Sequence, residues 1–187
     1  MIGCCASWVF RSIEMDAPLI VAAYDPQWAN QFAQTRVQLL DALRDLNVQI
    51  EHIGSTSVVG LAAKPIIDIA ICVESAEDAI RAITSLTRLG YTCYGEAEIP
   101  GRVYFDRRAY EPCHLHLYVR GNPELERHLI FRDYLRAHPD TAQQYAELKY
   151  ALAEKFRDNR PAYTEAKTEF IRGVEARARA ERAAGRL

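Results

Sequence analysis

Very little in this chain advertises a large partner. Lys and Arg number 23 against 25 Asp and Glu, a net charge of -2 at pH 7. Without a cationic excess there is no whole-protein case for nucleic-acid binding, and only a local patch could support it. No apolar run reaches the roughly 20 residues that cross a bilayer, so no membrane partner is expected. The five cysteines, at 4, 5, 72, 93 and 113, are odd in number and include no C-x-x-C pair. That argues against a disulfide framework and for a reducing, cytoplasmic setting. The Walker spacing G-x-x-x-x-G-K-[ST] is missing, as are internal repeats and any linker rich in Gly, Ser or Pro. What remains is an ordinary composition, 49% hydrophobic and 26% charged over 187 residues, enough for one domain with a sizeable core.

The opening "MIGCCASWVFRSIEM" lacks the basic start of a signal peptide, and Arg11 breaks its apolar run. Residues 1–14 are expected to be a disordered leader, with Met15 as an alternative start and a single domain over 15–187. From there the pattern becomes regular. "YDPQWANQFAQTRVQLLDALRDL" opens with Asp25 as N-cap and Pro26 at the first helical position, and Trp28, Phe32, Leu39, Leu43 and Leu46 recur at helical spacing. "VQIEHI" (48–53) alternates as a short strand ended by Gly54, and "PIIDIAICV" (65–73) is apolar on both faces, as a buried central strand must be. "SAEDAIRAITSLTRLG" carries a Ser75/Asp78 cap and closes at Gly90. Three strands are expected at 91–95, 102–106 and 114–119, then helices from Asn122-Pro123, over 139–156, and from Pro161 to about Ala184. The reading is α+β in one unit, a sheet core over about 19–120 and a helical part over about 122–184.

Asp68 stands out chemically. Alternation puts it with Ile66, Ala70 and Cys72 on one strand face, while Ile67, Ile69, Ile71 and Val73 fill the other. A charge in so apolar a strand is costly unless paired, so Asp68 either meets an arginine or works at a site. Upstream, "GSTSVVGLAAK" supplies Gly54 and Gly60 for tight turns, the hydroxyls of Ser55, Thr56 and Ser57, and Lys64. Backbone N–H groups beside Ser55 and Thr56 suit phosphate oxygens. In "CHLHLYV", His114 and His116 share a face and can reach one ligand or metal, with Cys113 on the opposite face; the alternative is two surface histidines on a half-exposed strand. Lys167 falls on an apolar helical stripe with Tyr163, Phe170 and Val174, and Arg132 and Lys149 are similarly placed. Such stems often snorkel to solvent. Arg102, Arg107 and Arg108 flank the strand before the histidines, available to an anion.

Taken together, "YDPQWANQF", "IEHIGSTSVVGLAAKPIIDI", "GEAEIPGRVYF", "HLHLYV", "HLIFRDYLRAHPDTAQQYAELKYALAEKF" and "AYTEAKTEFI" resemble the GrpB family over about residues 19–175. That family is similar to the nucleotidyltransferase superfamily, and some of its members are fused to dephospho-CoA kinase. The resemblance implies a nucleotidyltransferase-like mixed β-sheet with flanking helices and a helical C-terminal third. It also implies a Gly-Ser turn, here Gly54-Ser55, then a strand with Asp-x-Asp, then a third carboxylate on a neighbouring strand. Asp68 matches the first carboxylate; Ala70 stands at the second, and His114 and His116 stand where the third should be.

On this reading Asp68, His114 and His116 are the catalytic residues and the ligands of a divalent metal (Mg, Mn or Zn). Gly54, Ser55, Thr56, Lys64, Arg102, Arg132 and Lys167 bind nucleotide or phosphate. One carboxylate and two imidazoles suit Mn²⁺ or Zn²⁺ better than Mg²⁺. The expected function is a nucleotidyltransferase-like enzyme that uses a nucleoside triphosphate and processes a phosphate-bearing small molecule. The alternatives are a non-catalytic nucleotide- or CoA-binding module and an Asp/His metal-dependent hydrolase.

Overall fold

A computed structural model describes residues 19–107 and 112–185. The expected leader (1–14) and Arg108 lie outside the described residues. Helix α1 (Gln27–Ala42) precedes β1 (Val48–Ile53), a short 3₁₀ turn (Ser55–Ser57), β2 (Ile67–Val73) and α2 (Ala76–Arg88). Strands β3 (Thr92–Cys93), β4 (Arg102–Arg107) and β5 (Cys113–Val119) follow. The last part is helical: α3 (Pro123–Ala137), α4 (Pro139–Lys155), α5 (Arg160–Ala166) and α6 (Thr168–Ala183).

The helix starts follow local chemistry. Asp25 Oδ1 accepts from the backbone N–H of Gln27 at 2.9 Å, Ser75 Oγ from Asp78 N–H at 3.1 Å, and Asn122 Oδ1 from Glu124 N–H at 2.8 Å with Pro123 behind it. Each satisfies a backbone donor that the first helical turn leaves unpaired. Two elements differ from the sequence expectation. The strand expected over 91–95 is only Thr92–Cys93. The helix expected from Pro161 to about Ala184 is two helices separated by a turn at Lys167, which keeps a helical φ/ψ of -85°/-16°.

The sheet order is β1-β2-β5-β4-β3. All pairs are antiparallel except β2 with β5, whose register sets Asp68 beside His114 and Ala70 beside His116. One sheet face is apolar: Ile67, Ile69, Ile71, Leu115, Leu117 and Phe105 bury against Trp28 and Leu39 of α1, its C-cap Leu43, and Ala82 and Leu86 of α2. Removing that much apolar surface from water drives the packing. The other face carries Asp68, His114, His116, Tyr118, Arg102, Tyr104 and Asp106, brought side by side by the register. This polar face lies at the sheet centre because β2 is a central strand.

The helical third forms a second core with the loop between β1 and β2. Val58, Leu61 and Ala62 pack on Ile130, Tyr134, Tyr145 and Val174. Arg136 of α3 donates to the Ser57 carbonyl from Nε and Nη2 at 3.1 and 2.8 Å, fixing the loop to the helices. Among the described residues no helix is long and apolar enough to cross a membrane.

Candidate active site

Asp68 opens β2, and the loop that feeds the strand folds back on it. Gly54 holds φ 69°, ψ -175°, a region essentially restricted to glycine. A β-carbon there would lie 2.6 Å from Asp68 Oδ2, so the turn and the carboxylate are built against each other. After it, Ser57 N–H and Oγ both bond the Gly54 carbonyl, at 3.2 and 2.6 Å. Thr56 Oγ1 sits 3.0 Å from His52 Nε2 and donates to the Ile66 carbonyl at 3.4 Å. The hydroxyls of Thr56 and Ser57 thus shape the loop from inside.

Across the parallel seam, His114 Nδ1 lies 3.2 Å and His116 Nε2 3.4 Å from the same oxygen, Asp68 Oδ1. The Asp68 side chain keeps 32% of its exposure and His116 only 10%. Burial pushes the Asp68 carboxyl up, but the hydrogen bonds from His114 and His116 and their charges outweigh it and hold the group well below the ordinary carboxylate range. Burial also lowers His116 against the opposing pull of Asp68.

The sequence reading did not reach three further groups on this face. Tyr104 stands 5.3 and 5.5 Å, centroid to centroid, from the rings of His114 and His116. His128 of α3 stands 5.6 Å from His116, and burial, then the neighbouring His116, hold it neutral with a pKa of about 3. Tyr118 lies 6.3 Å from His128. His116 Nδ1, His128 Nε2 and the Tyr118 hydroxyl are buried with no protein partner. Helical spacing held a signal for His128, which lies three residues after Leu125 and four before Arg132, both buried. Asp106, 5% exposed beside His114 on β4, is a further buried carboxylate that the reading passed over.

The expected phosphate contacts divide. Gly54 abuts Asp68, and Lys64 Nζ and Lys167 Nζ both sit over the Tyr163 ring, 5.1 and 4.3 Å from its centroid. Burial, then the Lys64 charge, bring the Lys167 pKa down to about 8 against the opposing pull of Asp68. Arg132 is occupied elsewhere. Its Nη1 donates to Glu51 Oε2 at 2.7 Å and to the His52 carbonyl at 3.0 Å, and its Nε to Asp133 Oδ1 at 2.8 Å. Arg102 is 8% exposed and donates from Nη2 to the carbonyls of Glu96 and Ala97 at 3.2 and 2.6 Å, strapping the turn before β4.

The expected metal ligands are Asp68, His114 and His116. The chemistry of one carboxylate and two imidazoles suits a transition metal, yet as placed both imidazoles close on Asp68 Oδ1. Among the described residues no group of three or more His, Cys, Asp or Glu side chains is arranged to hold a metal ion.

A Gly-Ser turn entering a short helical turn, then a central strand with a carboxylate beside a parallel neighbour, on a mixed sheet flanked by helices, defines a nucleotidyltransferase-like fold. The Cid1 poly(U) polymerase shares it at a TM-score of 0.55 and 12% identity, over 86% of this chain and 52% of that one. At that identity only the fold is common.

The chain belongs to the GrpB family: its match to "GrpB protein" covers residues 18–177. The GrpB crystal structure from Enterococcus faecalis superposes with a TM-score of 0.78 at 39% identity, over 85% of this chain and 96% of that one. The UPF0157 protein YqkA of Bacillus subtilis is 41% identical over 160 residues, 85% of this chain and 47% of that protein. The chain thus spans about half of YqkA.

Proposed function

We propose that this protein is a cytoplasmic nucleotidyltransferase-like enzyme that transfers a nucleotidyl group from a nucleoside triphosphate to a small molecule. The observation that carries the reading is the contact of Gly54 and Asp68. It sets a glycine turn, whose backbone N–H groups suit phosphate oxygens, against the carboxylate, and Lys64 and Lys167 gather over the Tyr163 ring. In the transfer the acceptor oxygen bonds the α-phosphorus as the bond to pyrophosphate breaks. The acceptor proton passes to His116 or His114, and the pyrophosphate leaves toward Lys64 and Lys167. Asp68 orients both imidazoles. It would also hold a divalent metal together with substrate phosphate oxygens, His114 and His116 being the nearest further donors. Such an ion would neutralise charge on the phosphates. Tyr104 and α3 shield the histidines from bulk water.

One observation favours a second reading. Ala70, directly beside His116 in the register, offers no oxygen where the two-metal pattern needs one, which fits a domain that binds nucleotide- or CoA-like ligands without turnover. Pyrophosphate release separates the two. Purified protein would be incubated with each nucleoside triphosphate, a mixture of small acceptors and Mg²⁺, Mn²⁺ or Zn²⁺, alongside Asp68→Asn. Release that vanishes in Asp68→Asn supports the enzyme. Binding without release under every metal supports the second reading.

A further inference from the structure

We infer that His52 is a positioning residue of this site: through Thr56 it ties the Gly54 turn to the entry of β2 and so fixes where Asp68 stands. The inference rests on the reading of Asp68 as the functional carboxylate and adds the residue that holds it in place.

The loop between β1 and β2 leaves the sheet at Gly54 and returns at Ile66, two residues before Asp68. Thr56 spans its neck. The Thr56 hydroxyl lies 3.0 Å from His52 Nε2 on the outgoing side and donates to the Ile66 carbonyl at 3.4 Å on the returning side. A hydroxyl has one hydrogen, and a carbonyl only accepts. The Thr56 hydrogen therefore goes to Ile66, and Thr56 Oγ1 accepts from His52. His52 must then carry its hydrogen on Nε2, since the partner of one ring nitrogen selects the tautomer. The chain has one direction, from His52 Nε2–H through the Thr56 hydroxyl to the Ile66 carbonyl.

The surroundings keep this chain dry and aimed. His52 is 8% and Thr56 4% exposed, so bulk water does not replace a lost bond, and a buried polar group left without one is costly. The His52 ring stacks on Phe32 of α1, centroids 4.6 Å apart and planes 12° from parallel, which sets the plane in which Nε2 points. Burial brings the His52 pKa down to about 4 against the pull of Asp68, so the ring is neutral at neutral pH. In the β1–β2 register His52 lies beside Ile69, and Ile53 beside Asp68. The turn that Thr56 anchors presses Gly54 on the carboxylate, where a β-carbon would meet Oδ2 at 2.6 Å. With so close a fit, a shift at Thr56 or Ile66 passes to Asp68, and from there to the two imidazoles that share its Oδ1. His52 thus acts through Thr56 and the turn, and its effect is read at His114 and His116.

Nitrogen-15 NMR of the histidine rings in the full chain, paired with the pyrophosphate-release assay, tests this on wild type, His52→Leu, His52→Gln and Thr56→Val. In wild type at neutral pH His52 should carry hydrogen on Nε2 and none on Nδ1. His52→Leu and Thr56→Val should shift the ring signals of His114 and His116 and slow release about tenfold or more, the scale on which small misplacements cost rate. Gln can set an amide N–H where Nε2–H stood, so His52→Gln should restore both the ring signals and most of the rate. Should His52→Leu fail to fold, the isosteric Thr56→Val carries the test. A hydrogen on His52 Nδ1 in place of Nε2 overturns the inference. Unmoved His114 and His116 signals in folded Thr56→Val overturn it too, because the chain would then brace the loop alone. So does a loss in His52→Gln as deep as in His52→Leu. Wild type that releases no pyrophosphate brings down the proposed transfer, and the ring signals by themselves then decide this inference.

Discussion

A methyl group on Gly54 would stand 2.6 Å from the Asp68 carboxylate. The chain has therefore brought backbone as close to its central charge as a glycine allows, at a φ/ψ that other residues avoid. Ala at position 54 faces two obstacles, a strained backbone and a displaced Asp68. Gly54→Ala should lose about 1–3 kcal/mol of stability from the strain alone. In a double-mutant cycle with Asp68→Ala, whose shorter side chain removes the 2.6 Å collision and leaves only a β-carbon 3.1 Å away, the two losses should sum to more than the double variant shows. Thermal unfolding of the four proteins measures this, and strict additivity would show that the contact carries no energy.

Asp68→Asn keeps the side-chain shape and removes the charge. Ligand-dependent shifts in melting temperature that require a divalent cation should disappear, while the unliganded midpoint moves little, since Asp68 is partly solvated. A thermal-shift screen of nucleotides with Mg²⁺, Mn²⁺ and Zn²⁺ provides the check. Retained metal-dependent shifts would move the site away from Asp68.

Lys149 sets a dependence of stability on pH. Its amine titrates near 7 in the folded protein against an ordinary value of 10.5. Between those values the unfolded chain binds more protons, so raising the pH strengthens the fold, and below about 7 the full cost of the buried charge applies. Lys167, brought to about 8, acts in the same direction. Lys149→Met should unfold at higher temperature than wild type at neutral pH and show a flatter rise toward pH ~9. Calorimetric melting across that window tests it, and parallel curves for the two proteins would refute it.

Arg132 belongs to the stability of the fold. Its side chain, 10% exposed, ties α3 to the end of β1 through Glu51, with Glu51 and Asp133 still 31% and 34% exposed. Arg132→Met should lower the urea midpoint by the equivalent of about 1–3 kcal/mol, less than the 3–5 kcal/mol typical of a fully buried pair because the partners keep water. Pyrophosphate binding per folded molecule should change little.

Much of this was open to a reader of the sequence. Alternation alone puts His114 and His116 on one strand face and Asp68 on the face away from Ile67, Ile69 and Ile71, because a strand has a fixed period of two. The β-branched run around Asp68 marks a central strand, and β2 is one. What periodicity does not carry is placement between elements. Nothing local says that α3 presents His128 to His116, that Glu51 and Asp133 already occupy Arg132, or that α4 brings Lys149 to the Ala62 carbonyl, 87 residues away. The turn at Lys167 was hidden for another reason: "EAKTEF" holds no Gly or Pro, and the residue keeps helical angles through the turn.

The sheet is two nearly local pieces. β1 with β2 forms one antiparallel unit, and β3, β4 and β5 form another; the parallel pairing of β2 with β5 alone joins them. Asp68 and His114, separated by 46 residues, sit on that seam. Parallel strands need a long crossover, and contacts so distant in sequence form late because closing the intervening loop costs entropy first. During folding, therefore, the carboxylate and its histidines meet only when the two pieces dock, and the chemistry of this chain begins with the last pairing its sheet makes.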